Sequence, residues 1–154
     1  MRQRFSGLIL LATLGVAGCH PARGGHALAG SLEVTHAVIP ASASPTEASA
    51  FMVLTNHGST AVTFEGATSP VAASIAVHKD VGGLMQPAGP LQVPPGGYVL
   101  LAPGSYHLML EGLVHPLAIG DTATVTLEFD QGGPLSVRVP VLNYTDAVSE
   151  LPLR

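Results

Sequence analysis

Along most of the chain, apolar residues come in short runs or alternate with polar ones, and turn residues punctuate them at short intervals. The stretch TATVTLEF, residues 122–129, is the plainest case. Ala123, Val125, Leu127 and Phe129 fall on one side, and Thr122, Thr124, Thr126 and Glu128 on the other. That is the period of a strand with one buried and one wetted face. The same reading predicts strands near Leu32–Val38, Ala48–Thr55, Val62–Thr68, Ala73–Lys79, Leu84–Gln86, Tyr98–Leu101, His107–Leu110, Thr122–Phe129 and Leu135–Val141. Turn signals separate them: NHGST, SP, DVGG, PPGG, APGS, IGD and DQGGP. No segment sustains a helical period. Many short strands predict an all-β domain, either a β-sandwich or a small antiparallel Greek-key barrel.

The opening MRQRFSGLILLATLGVAGCHPARGG departs from this pattern. It has a basic start (Arg2, Arg4), an apolar run from Leu8 to Val16, and small residues before Cys19. The run is shorter than the roughly 20 residues a membrane-spanning helix needs. VAGC is similar to the bacterial lipobox, so residues 1–18 read as a lipoprotein signal peptide and Cys19 as the residue lipidated after cleavage. Cleavage at ALA, near Ala29, is the alternative and would release a soluble product. The expected location is the periplasmic side of a bacterial membrane, touched only through the N-terminal lipid. Residues 19–30 read as a flexible tether, 31–142 as one folded domain and 143–154 as a loose C-terminal tail.

Composition narrows the function. The 154 residues suit one domain, and 47% hydrophobic against 5% aromatic content implies an aliphatic core. Thirteen Pro and 18 Gly leave little room for long helices. The net charge of −4, more negative once Arg2 and Arg4 are removed, excludes a nucleic-acid partner. Cys19 is the only cysteine. No disulfide can form within one chain, and no thiolate copper or cysteine-ligated zinc site can form in the folded domain.

Against the ordinary pattern, SYHLML (residues 105–110) is unusual. Leu108 and Leu110 take the core side, which leaves His107 and Met109 together on the other, as an exposed His-x-Met pair. Upstream, in AVHKDVGGLMQP, His78 and Met85 flank a turn containing Gly82-Gly83. A four-residue loop over 80–83 would set His78 opposite Met85. A two-residue Gly82-Gly83 turn would set Asp80 opposite Met85, with His78 a diagonal neighbour. Both registers keep His78 and Met85 on one face. Two imidazoles and two thioethers make a soft, neutral donor set suited to Cu(I) rather than to zinc, magnesium or calcium. The plainer reading of each residue alone is core filler for Met and a solvated surface group for His. Met52, alternating inside SAFMVLTN, reads as core.

From LEVTHAVIPAS through LSVRVPV, over residues 32–141, the chain resembles the periplasmic copper chaperone PCu(A)C family. The resemblance rests on a Met and a His-x-Met separated by a fixed interval, Met85 and His107 with residues 86–106 between them. FMVLTNHG, SPVAASIAVH, MQPAGPLQVPPGG and LAPGSYHLMLEGL match the family's style around it. It implies a cupredoxin-like β-sandwich binding one Cu(I) per chain through His78, Met85, His107 and Met109. It also implies delivery to a copper-accepting protein, either the CuA subunit of a respiratory oxidase or another copper chaperone. The chain departs from the family in a shorter His78–Met85 hairpin, in lacking any Trp, and in a tail without His or Met.

No Ser-His-Asp pattern, nucleophile elbow or phosphate loop points to an enzyme. Two other functions compete: a scaffold or adhesive lipoprotein without metal, and copper buffering for tolerance. His20, His26, His36, His57 and His115 receive no role.

Overall fold

The computed structural model describes residues 23–153. The signal peptide 1–18, the lipidation residue Cys19 and His20 lie outside the described residues. Eleven strands are present among these: β1 Gly25–Ala29, β2 Leu32–Pro40, β3 Glu47–Asn56, β4 Val62–Thr68, β5 Ala72–Val81, β6 Leu84–Pro87, β7 Leu91–Val93, β8 Tyr98–Leu101, β9 Tyr106–Leu113, β10 Thr122–Phe129 and β11 Leu135–Leu142, followed by one short helix, α1 Tyr144–Ser149.

Hydrogen-bonded neighbours run β2-β11-β10-β4-β5-β9-β3, and β3 pairs back onto β2, so seven strands close a barrel. The β11–β2 pair is parallel, at Val141↔Ile39 and Leu142↔Pro40, and the other pairs are antiparallel. Strands β1, β6, β7 and β8 pair with ring members β2, β5, β4 and β3 without taking part in the closure. The all-β, cupredoxin-like fold expected from the sequence is the one formed. Alternation predicts the inside faces well. Ala123, Val125, Leu127 and Phe129 of β10 are all buried, and they meet Val34, Met52, Leu54, Phe64, Leu108 and Leu110 in one aliphatic core.

Three segments differ from expectation, one being the short strand β7, which pairs with β4 at Val62↔Val93 and is not among the expected strands. The tether read over 19–30 contains β1, paired antiparallel with β2 from Gly25↔Ala37 to Ala29↔Leu32. The glycines that suggested a linker serve a close approach instead, since a Cβ at Gly25 would overlap the Arg138 carbonyl. The loose tail read over 143–154 contains α1. Asn143 caps it by accepting a hydrogen bond from the Asp146 amide at 2.9 Å. Ala147 and Leu151, one turn apart, pack with Val38, Phe51 and Ala102 in a second, smaller cluster outside the barrel. Arg23 joins the two ends, its guanidinium 2.9 Å from the Asp146 carboxylate. Among the described residues, no helix is long and apolar enough to cross a membrane.

Candidate metal centre

The residues singled out by spacing share the outer face of the wall formed by β6, β5, β9 and β3. Strand β9 is held from within: Leu108 and Leu110 are fully buried, each worth about 1.5–3 kcal/mol of burial. Strict alternation then turns His107 and Met109 outward. In β5 the same rule sends Val77 into the core and His78 outward.

Register brings the two histidines together. His78 is the direct cross-strand partner of His107, and their ring centroids lie 6.0 Å apart in an edge-on arrangement. Met109 lies between two small neighbours, Ala76 on β5 and Ser49 on β3, which leave room for its long side chain. The Ser49 hydroxyl donates to its sulfur at 3.8 Å.

Met85 arrives from β6. Of the two hairpin registers open at the sequence level, the two-residue turn is found, with Val81↔Leu84, Asp80↔Met85 and His78↔Pro87 paired. Gly82 and Gly83 both have positive φ, 63° and 84°, as a tight hairpin turn requires. The Asp80 carboxylate accepts from the Gly83 amide at 2.8 Å. Met85 is therefore diagonal to His78 on the same face, and it is 58% exposed.

Burial of the histidines is the feature alternation does not foresee. His107, expected to be exposed, is only 3% exposed. The outer face is not wetted here, because Phe51 lies edge-on to His107 with centroids 6.4 Å apart and is backed by the α1 cluster. The His107 Nδ1 donates to the Ser105 carbonyl at 3.2 Å, which in the neutral ring leaves the lone pair on Nε2. The buried His107 Nε2 and His78 Nδ1 have no hydrogen-bond partner. On the far side of the His78 ring, Nε2 faces Glu111 at 4.0 Å, and Ser74 donates to that carboxylate at 3.3 Å.

A buried nitrogen without a partner costs about 1–3 kcal/mol, and here two such nitrogens belong to directly paired histidines. An imidazole whose other nitrogen is fixed by a backbone carbonyl is how metal-binding histidines are oriented. Among the described residues, no group of three or more His, Cys, Asp or Glu is placed to hold a metal ion. The two thioethers on the same face, Met85 and Met109, are donors of the soft kind that Cu(I) accepts.

An open pocket of about 290 Å³ adjoins the site, lined by His107, Met85, Asp80, Phe51, Pro103 and Tyr144 among others. Sequence reading missed Ser49, Phe51, Glu111 and Tyr144, because each reaches the site through pairing or docking with distant residues. For Tyr144 a local signal did exist: the Asn143 cap followed by Ala147 and Leu151 at helical spacing. Of the remaining histidines, His26 and His57 bracket Glu33, at 2.9 and 2.6 Å, away from this face. His36 occupies a left-handed position, φ 55°, at a bulge in β2.

Comparison with known proteins agrees with this architecture. The family model "Putative lipoprotein LpqE-like" matches residues 32–141. The copper-bound PCuAC domain from PmoF2 superposes with a TM-score of 0.67 at 22% identity, covering 77% of this chain and 97% of that one. The Cu(I) form of DR1885 from Deinococcus radiodurans gives 0.60 at 29% identity, covering 70% and 76%. Its apo form gives 0.58 at 27%, covering 92% and 99%. No curated protein sequence matches the chain.

Proposed function

The chain belongs to the LpqE-like family and has the PCuAC fold, and on that premise we propose that it is an extracytoplasmic copper carrier. It holds one Cu(I) through His78, Met85, His107 and Met109 and passes it to a copper-accepting protein, such as an oxidase CuA subunit or another copper chaperone. The observation that carries this reading is the pair of buried, unpartnered nitrogens on His78 and His107, with two methionines on the same face. A metal-free scaffold gives no reason to retain that cost.

The donors also suit transfer rather than storage. His107 supplies a fixed, buried ligand, and Met85 an exposed one that a recipient can reach. Copper stays Cu(I) throughout, so no electron source is needed, and no catalytic role is assigned. Lipidation at Cys19 agrees with the family's name and would hold the domain on the periplasmic side of a membrane.

The test is an anaerobic Cu(I) competition titration of the protein from His20 onward, beside the double variant Met85→Leu, Met109→Leu, which keeps volume and removes both sulfurs. One tight Cu(I) in the parent, greatly weakened in the variant, is expected. No tight Cu(I) in the parent would return the domain to the scaffold reading.

A further inference from the structure

We propose that the pocket beside the site is the port through which a partner inserts a methionine side chain to exchange copper. This rests on the copper reading above and adds the side of entry and the chemistry of the incoming donor.

The pocket is lined by His107 and Met85, but by neither His78 nor Met109. It therefore approaches the candidate centre from one side, where His107, whose buried Nε2 has no partner, borders the most exposed of the four donors. Its walls are mainly apolar or small, including Pro40, Phe51, Pro103 and Tyr144. Asp80 is the only charged residue in the lining, and its carboxylate is already engaged by the Gly83 amide. A carboxylate donor entering this space would lose hydration beside Asp80 with no basic group to receive it. A thioether is neutral, flexible and soft, and it matches both the walls and the metal.

Exchange is then a ligand substitution. A bond forms from the incoming sulfur to copper as the Met85 sulfur–copper bond breaks, and copper remains Cu(I). Met85 is the natural leaving donor, since it lines the pocket from the β5–β6 hairpin and is the most exposed of the four.

The test fills the pocket without touching a donor. Ser42→Trp fills it from the β2–β3 loop and Tyr144→Trp from the helix side; Leu28→Trp, on exposed β1, is the control. Each Cu(I)-loaded protein, from His20 onward with every element of the barrel, is mixed with a synthetic Met-x-x-Met peptide. Exchange is read from the methionine methyl NMR signals, beside an equilibrium Cu(I) titration. Both pocket variants are expected to keep the parent affinity and slow exchange about tenfold or more, with the control unchanged. Parental exchange rates in both would overturn the port while leaving the copper site intact. A parent without tight Cu(I) would overturn the copper reading and the port with it.

Discussion

His78 and His107 are direct partners across the β5–β9 ladder, and each keeps one buried ring nitrogen without a hydrogen bond. The apo protein carries this as a cost. His78→Leu is therefore expected to raise apo stability by about 1 kcal/mol, within the 1–3 kcal/mol of an unsatisfied buried group, while Cu(I) affinity collapses. Urea unfolding of the metal-free proteins measures the first effect and Cu(I) competition the second. A destabilised apo variant would mean the imidazole is retained for packing.

Two methionines should separate by role. Met52 is fully buried in the barrel core and Met85 is 58% exposed. Met52→Ala is expected to cost about 2–5 kcal/mol without altering copper stoichiometry in the folded protein. Met85→Ala should leave thermal unfolding nearly unchanged and weaken Cu(I). Thermal melts paired with titrations decide it, and equal destabilisation by the two changes would contradict the assignment.

The Gly82-Gly83 turn sets where Met85 stands. Gly82→Asn suits a tight hairpin turn and should be close to neutral. Gly83→Val forces a β-branched residue to φ 84° and is expected to cost about 1–2 kcal/mol, with weaker Cu(I) binding as the hairpin shifts. Retained affinity in Gly83→Val would show that Met85 does not depend on this register.

Acid sensitivity should trace partly to Glu33. The hydrogen bond from His57, then that from His26, holds its carboxyl below the usual glutamate range. A lowered carboxyl stabilises the fold in full above its unfolded value of about 4.3 and loses that contribution as pH falls through the lowered folded value. Glu33→Gln should therefore melt earlier than the parent at pH 7, with the two converging in acid. A constant difference between pH 3 and pH 7 would rule this out.

Much of the design could be read in the linear chain because a strand's two faces are a local property. Alternation in β10 identified its buried side, and the spacing in HLML turned His107 and Met109 away from Leu108 and Leu110. Parity likewise kept His78 and Met85 on one face in either hairpin register. Fold class follows from such neighbours, and so does the proposed donor set with its soft chemistry.

What required the tertiary structure was everything made between residues far apart in sequence. The pairing of Ser49 with Met109 joins positions 60 residues apart, and no local period encodes it. His107 reads as exposed within β9, yet it is buried because Phe51 and the α1 cluster close over the outer face. Strand β1 and α1 look like linker and tail in isolation, since five residues around glycines and six residues after a cap are too short to form alone. They become ordered only when β2 and the second cluster offer surfaces to complete. Barrel closure thus decided which side chains cover the proposed donors, while strand periodicity had already decided which way they point.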